Sequence, residues 1–182
     1  MRSCGLVETP KEEKYFKNVH NISLCSGKDA LVAMAKKAED LGYRSKVWNN
    51  KFEGEASALG RKIAQASKPG VCLLAAGEST VTITPKKKGK GGRNQELALA
   101  ALSHLTGNSV LAAVASDGRD NSDLAGAVVS EETAQAISAN GLNIAESLEY
   151  HNEYDLLVEA NAALDTGITG SNVSDLIICL QQ

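Results

Sequence analysis

An uninterrupted apolar run over residues 71–76 (VCLLAA), preceded by Pro69-Gly70, constrains the fold of this chain more than any other segment. Such a run predicts a strand that is buried on both faces, as in the sheets of α/β proteins. Before it, residues 28–41 and 55–66 repeat their apolar side chains with helical spacing, and residues 19–25 and 43–48 indicate strands. The first 76 residues therefore predict a β-α-β-α-β order with parallel strands and right-handed crossovers.

The remainder of the chain continues the alternation of strands and helices. Residues 80–84 alternate strictly, which predicts a strand with one face in water, and residues 110–115, 125–129 and 175–180 indicate further strands. Helices are expected over residues 94–105, 131–140, 144–149 and 154–164. We therefore expect a polar lead-in over residues 1–18 and one layered α/β domain over residues 19–182, with a mixed, mostly parallel sheet flanked by helices.

Composition excludes several classes of protein. With 182 residues, 43% hydrophobic and 23% charged, the chain suits one folded domain rather than a disordered segment. A net charge of -3 argues against a nucleic-acid partner, and no apolar run approaches the ~20 residues of a membrane helix. No secretory signal begins the sequence, and the four cysteines lack metal or redox spacing. We expect buried free thiols in a cytoplasmic protein, with Cys25 as the one cysteine whose neighbours could make it reactive.

The glycine loop, residues 85–93, connects a predicted strand to the start of a predicted helix. Its glycines let the backbone approach a ligand closely, and the first helical turn offers N–H groups and a partial positive charge. This combination suits phosphate or a carboxylate. Arg93 is the strongest candidate, because a guanidinium can bind two oxygens at once, and the expected contributors beside it are Lys90, Gly91, Gly92 and Asn94. A solvated basic turn is the alternative.

The aspartate loop, residues 116–123, follows the predicted strand 110–115. Ligands of open α/β sheets bind at the carboxyl ends of strands. Asp117, Asp120 and Asp123 are therefore candidates to hold Mg²⁺ or to act as a general base. The alternative is an Asx-rich turn, in which the same side chains make local hydrogen bonds.

The C-terminal loop, residues 166–175 (TGITGSNVSD), combines small polar side chains with two glycines. Thr169, Ser171 and Asn172 could line a phosphate or oxyanion cradle, or the segment could be an ordinary turn into the last strand. The three histidines, His20, His104 and His151, are scattered along the sequence, and we expect them to be structural or exposed rather than metal ligands.

The loops resemble, in order, the C-terminal region of the glycerate 2-kinase family, formerly often labelled hydroxypyruvate reductase, whose C-terminal part is called the MOFRL domain. The similar segments are residues 77–81 (GESTV), 89–99 (GKGGRNQELAL), 116–127 (SDGRDNSDLAGA), 152–154 (NEY) and 166–176 (TGITGSNVSDL). This sequence departs from the family pattern at residues 121–122, where its aspartate loop is one residue shorter, at Glu153, and at Ile168.

The resemblance implies a cleft in which D-glycerate, ATP and Mg²⁺ meet. Arg93 would then bind phosphate or the glycerate carboxylate, and Asp117 and Asp120 would organise Mg²⁺ or the accepting hydroxyl. Thr169, Ser171 and Asn172 would line the cleft. Family members are more than twice as long and carry an active-site lysine in an N-terminal domain. We therefore expect activity to need an N-terminal-half protein partner.

Two other functions are compatible with the sequence. The altered aspartate loop and the missing N-terminal half favour a non-catalytic anion- or nucleotide-binding module of the same fold. The older family label suggests a hydroxypyruvate reductase. We rank the reductase last, because the sequence has no GxGxxG with a downstream acid in a strand-turn-helix setting.

Overall fold

The computed structural model describes residues 9–83 and 89–182. They form a six-stranded sheet with helices on both faces, in the strand order β1-β2-β6-β3-β4-β5. The strands are β1 Arg44–Glu55, β2 Val71–Thr80, β3 Ser109–Ala115, β4 Gly126–Val129, β5 Ala163–Leu164 and β6 Asp175–Gln181. The helices are α1 Gly27–Asp40, α2 Ala56–Gln65, α3 Arg93–Leu102, α4 Glu131–Ala139, α5 Ile144–Tyr150 and α6 Glu153–Glu159, and a 3₁₀ turn spans Glu13–Tyr15.

The predicted α/β class and mixed sheet are confirmed, but the expectation that most strands pair in parallel is wrong. Among the strands that the structure describes, only β1 and β2 form a parallel pair. Strand β6 enters between β2 and β3 and runs antiparallel to both, and the β3–β4 and β4–β5 pairs are also antiparallel. The apolar run over β6 indicates that the strand is buried but not in which direction it runs, so its antiparallel pairing could not be predicted from it.

The two faces of the sheet are covered to different extents. On one face, α2 and α3 pack with the three later helices over a continuous core that includes Leu73, Leu111 and Ile177. On the other face, α1 packs over β2, where Leu31 contacts a small second core with Leu74. The part of this second face that α1 does not cover consists of apolar side chains that are half-buried or exposed: Val110, Val114, Val128, Leu176 and Ile178.

The strand expected over residues 19–25 does not form. Residues 9–25 are exposed, and Ile22 and Leu24 keep 80% and 94% of their surface in water. Their alternation is not matched by a neighbouring strand, and a strand without a partner leaves its backbone hydrogen bonds to water. The strand expected over 80–84 is also wrong in part, because β2 ends at Thr80 and residues 81–83 have no regular structure. Thr84 lies outside the described residues.

The helix signals in the sequence are largely confirmed. Ser26 and Asp29 form the expected capping box at the start of α1, and Asn143 accepts a hydrogen bond from the backbone N–H of Glu146 at 3.1 Å. The helix expected over 154–164 is shorter, since α6 ends at Glu159 and β5 follows.

The cysteines are reduced thiols where the structure describes them. Cys72 and Cys179 are buried in the sheet, as expected, whereas Cys25 is exposed, and Cys4 lies outside the described residues. Within the described part of the chain, none of the helices has the length and apolar content to cross a membrane.

Candidate active site

The glycine, aspartate and C-terminal loops meet at one edge of the sheet. Strands β2 and β3 end at this edge, and the antiparallel β6 begins there. Asn121 Nδ2 donates to the carbonyl oxygen of Gly91 at 3.2 Å, and the N–H of Val173 donates to Ser116 Oγ at 2.8 Å. A parallel β6 would have placed the C-terminal loop at the opposite edge, so the reversed direction of this strand is what assembles the site.

The N-terminus of α3 is buried and is capped by Asp120 from the aspartate loop. The backbone N–H groups of Asn94 and Gln95 donate to the Asp120 carboxylate at 3.1 and 2.9 Å, and both side-chain amides also donate to it, each at 3.2 Å. Helix α3 begins after Gly92, where a β-carbon would overlap Asp120, so glycine is required for this approach. A buried carboxylate at this position satisfies the unbonded N–H groups and the positive end of the helix dipole.

Arg93 lies at the first position of α3 with 39% of its side chain exposed. Its Nη2 lies 3.3 Å from each carboxylate oxygen of Asp175, the first residue of β6. Burial is the main cause that raises the pKa of Asp175 to about 6, and the charges of Asp120 and Glu78 act in the same direction. A hydrogen bond from Asn94 and the charge of Arg93 act to lower this pKa. The described contacts of the guanidinium use Nη2, so its other N–H groups can bind an oxyanion.

A cavity of about 520 Å³ opens beside this helix N-terminus. Its volume suits a small ligand, and its walls come from the end of β2, the glycine loop, the start of α3, the aspartate loop and the link between α5 and α6. The lining residues are Ser79, Thr80, Val81, Ile83, Gly89, Gly91, Gly92, Arg93, Glu96, Asn121, His151 and Glu153. Gly89, Gly91, Gly92 and Arg93 therefore face a common space. Residues 85–88 of the glycine loop lie outside the described residues.

The other candidate residues from the sequence are not in this cavity. Asp117 lies against the C-terminal loop, where Asn172 Nδ2 donates to its Oδ2 at 3.2 Å. Thr169 Oγ1 donates to the carbonyl oxygen of Ser116 at 2.5 Å and lies 3.1 Å from that of Ser171, so it closes the C-terminal loop onto the aspartate loop. These residues form a second polar cluster next to the Arg93–Asp175 pair.

Lys90 lies at the outer rim of the glycine loop. Its Nζ is 3.1 Å from Asp123 Oδ1 and 3.2 Å from the centroid of the Tyr154 ring. Tyr154 also donates its hydroxyl to Asp123 Oδ2 at 2.9 Å. The exposed Lys90 and Asp123 and the half-buried Tyr154 fix the glycine loop to the start of α6. The Asp123 carboxylate is therefore bonded to the ammonium of Lys90 and the hydroxyl of Tyr154.

The buried acids Glu96 and Glu153 beside the cavity are not among the site residues predicted from the sequence, in which His151 is expected to be structural or exposed. His151 Nδ1 lies 3.1 Å from Glu96 Oε2, and Glu153 is 1% exposed. Burial raises the pKa of Glu153 to about 8, and the charges of Glu96 and Asp120 act in the same direction. The pKa of Glu96 is also raised by burial, although the hydrogen bond to His151 acts in the opposite direction. The signal available in the sequence was Glu96 itself, an acid that begins the apolar stretch of α3.

Comparison with known proteins identifies the family. The model of the MOFRL family matches residues 71–175, which span β2, α3 and all three loops. The chain belongs to the MOFRL family. It is 35% identical to a glycerate 2-kinase of Pyrococcus horikoshii, over 95% of this chain and 41% of that relative. It is also 35% identical to a D-glycerate 2-kinase of Thermotoga maritima, over 96% of this chain and 44% of the relative.

A crystal structure of glycerate kinase from Thermotoga maritima has the same fold as this MOFRL-family chain. The two superpose with a TM-score of 0.81 at 32% sequence identity, covering 86% of this chain and 41% of the other. The resemblance inferred from the loops is therefore confirmed. The chain spans about two fifths of the length of these relatives.

Proposed function

We propose that this MOFRL-family chain forms the C-terminal part of a glycerate 2-kinase, which transfers a phosphoryl group from ATP to the 2-hydroxyl of D-glycerate. The observation that carries the proposal is the position of Arg93, held by Asp175 at a glycine-lined cavity where α3 begins. Two relatives named glycerate 2-kinase or D-glycerate 2-kinase support the choice of reaction.

Each part of the site has a role in this proposal. Phosphoryl transfer depends mainly on positioning and on neutralising charge, so Arg93 would bind a phosphoryl oxygen or the glycerate carboxylate. The backbone of Gly91 and Gly92 would approach the anion closely, with Lys90 adding charge at the rim. Asp120 and Asn94 act as positioning residues, because the hydrogen bonds from the backbone and side-chain N–H groups of Asn94 to Asp120 Oδ1 fix the start of α3. Thr169, Ser171 and Asn172 would line the side of the cleft next to Asp117.

The two aspartates expected to hold Mg²⁺ differ in how well they fit the ion. Asp117 fits, since each of its carboxylate oxygens accepts one described hydrogen bond, from Arg119 N–H at 2.9 Å and from Asn172 at 3.2 Å, and retains a lone pair. Asp120 does not fit, because four N–H groups already occupy its buried carboxylate. Mg²⁺ commonly keeps several waters and one or two carboxylates, and when bound it would neutralise phosphate charge. We therefore assign the magnesium role to Asp117.

The uncovered part of the sheet supports the proposed requirement for an N-terminal partner. Val128 and Ile178 are 37% and 38% exposed on the face that α1 covers only in part. The segment before α1 adds Val19, Ile22 and Leu24, all more than half exposed. An apolar surface of this kind is suited to contact with another domain.

The test is an assay of ADP release by this chain combined with the N-terminal part of a glycerate 2-kinase. Release that depends on both ATP and D-glycerate is expected. Arg93→Ala should reduce kcat by about 10²- to 10³-fold, the usual effect of losing a transition-state charge contact. Arg61→Ala is the control, because Arg61 is an exposed arginine on α2. Absence of glycerate-dependent release, or equal activity of the two variants, would contradict the proposal.

One observation favours the alternative function, a non-catalytic binding module: Asp117 lies outside the cavity that Arg93 lines. Calorimetry on the combined proteins separates this function from the kinase, since it predicts heat of ATP or glycerate binding without ADP release. A reductase is the least favoured function, because the sequence has no GxGxxG with a downstream acid in a strand-turn-helix setting. Oxidation of NADH on addition of hydroxypyruvate would support it.

A further inference from the structure

Three side chains with metal-ligating atoms converge on the wall of the cavity. Glu96 comes from α3, His151 from the link between α5 and α6, and Glu153 from the first position of α6. One ligand atom of each lies within 4.8 Å of the other two, and the closest pair is His151 Nδ1 and Glu96 Oε2 at 3.1 Å. Throughout residues 9–83 and 89–182, no other group of three histidine, cysteine or acidic residues comes this close.

The cluster contains a polar atom that the described protein groups leave unsatisfied. Glu153 is 1% exposed, and its Oε1 has no hydrogen-bond partner among the described residues. The buried Oγ of Ser79, which belongs to the lining of the same cavity, is also without a described partner. Burying a carboxylate without a partner is costly, and a bound cation removes that cost.

The glycine loop lies directly over this carboxylate. A β-carbon at Gly91 would overlap Glu153 Oε2, so glycine permits the backbone to cover the acid. The surrounding buried charge is predominantly negative, with Asp120 close enough to affect the pKa of Glu153. The site therefore has a buried acidic floor, a mixed nitrogen and oxygen ligand set and an opening toward the cavity.

We propose that Glu96, His151 and Glu153 bind one divalent transition-metal ion and leave a coordination position open toward the cavity. An imidazole with two carboxylates suits ions such as Zn²⁺, Mn²⁺ or Co²⁺, whereas Mg²⁺ and Ca²⁺ favour oxygen ligands. Ligand atoms around a tetrahedral Zn²⁺ lie about 3.4 Å apart, as bond lengths near 2.1 Å require. Side-chain adjustments of at most about 1.4 Å would therefore bring the three ligand atoms, all within 4.8 Å of one another, to that spacing. The ion takes the place of the direct hydrogen bond between His151 and Glu96. This site is separate from the Mg²⁺ role assigned to Asp117 and does not rest on the kinase proposal.

The experiment titrates Co²⁺, a spectroscopic substitute for Zn²⁺, into the metal-free chain. Cys4 and Cys25 are replaced by serine in every variant so that their thiols do not compete for the metal. We expect one Co²⁺ per chain with the visible absorption of four- or five-coordinate cobalt, displaced by Zn²⁺ and retained in millimolar Mg²⁺. His151→Ala and Glu153→Gln should each weaken binding at least 10-fold, whereas His20→Ala, which removes an exposed imidazole elsewhere, should leave it unchanged.

Two outcomes would overturn the proposal: His151→Ala or Glu153→Gln binding Co²⁺ as tightly as the parent protein, or an absorption spectrum of six-coordinate hydrated cobalt. Glu153→Gln keeps the shape of the side chain and removes its charge, so it remains informative if His151→Ala fails to fold. Zn²⁺ should also raise the Tm of the parent protein and not that of Glu153→Gln. Equal shifts in the two proteins would count against the site.

Discussion

Replacement of Asp175 by asparagine should remove a pH-dependent loss of stability. Burial is the main reason that the pKa of Asp175 rises from 3.8 to about 6, although Asn94 and Arg93 favour the charged carboxylate. The folded state therefore holds this proton more tightly than the unfolded state does. Between pH 3.8 and pH 6 the contribution of Asp175 to the free energy of unfolding falls as the pH rises. It is greatest below pH 3.8 and is lost above pH 6.

The size of the effect follows from the pKa shift. Each pKa unit corresponds to about 1.4 kcal/mol, so a rise of about two units amounts to about 3 kcal/mol, of which about 2.5 kcal/mol falls between pH 4 and pH 7.5. Asparagine has nearly the same shape as aspartate and does not ionise in this range. The free energy of unfolding of Asp175→Asn, relative to the wild type, should therefore rise by about 2.5 kcal/mol from pH 4 to pH 7.5.

Urea unfolding at constant ionic strength, with a chelator present, measures this difference at four or five pH values. Asp40→Asn is the matched control, because Asp40 is an exposed aspartate at the end of α1 and the substitution makes the same chemical change. If the difference between Asp175→Asn and wild type is the same at pH 4 and pH 7.5, the carboxylate is not an unfavourably buried charge. The described burial of Asp175, which pairs with Arg93, would then be wrong.

Two further predictions concern how α3 is held in place. Asp120→Ala should lower the free energy of unfolding by about 2 kcal/mol in urea titrations, because two backbone N–H groups of α3 lose their acceptor, and Asp40→Ala should change it by less than about 0.5 kcal/mol. Gly60→Ala should also lower it by about 2 kcal/mol, because a β-carbon at Gly60 overlaps the Leu97 carbonyl oxygen of the neighbouring α3. A more stable Gly60→Ala protein, as helix propensity alone would give, would refute the close packing of α2 on α3.

Burial and helix caps could be predicted because they depend on local residue pattern. The apolar run at residues 71–76 is buried on both faces of β2, and Ser26 and Asn143 cap helices where their spacing to Asp29 and Glu146 indicated. The meeting of the three loops was anticipated from their shared family resemblance. Their contacts, such as Asn121 with Gly91, confirm that they lie together.

Properties that depend on partners distant in the sequence could not be predicted. The alternation over residues 19–25 satisfies the pattern of a strand, yet pairing needs a neighbour that the described chain does not supply there. The sequence presented Asp117 and Asp120 as equivalent acids, and the folded chain separates them by burying Asp120 under α3. His151 becomes a candidate site residue because it contacts Glu96, which lies 55 residues earlier in the chain. Sequence spacing does not reveal this contact.

The central position of β6 has a consequence for the order in which the protein matures. β6 is synthesised after every other strand, yet it supplies the hydrogen-bonding partner of both β2 and β3. Until it emerges from the ribosome, these two strands have unpaired inner edges, and such edges are prone to pair with other chains. Asp175, the partner of Arg93, arrives with the same strand. The sheet and the arginine site are therefore completed in one late event, so a nascent chain cannot present a finished anion site before its sheet has closed.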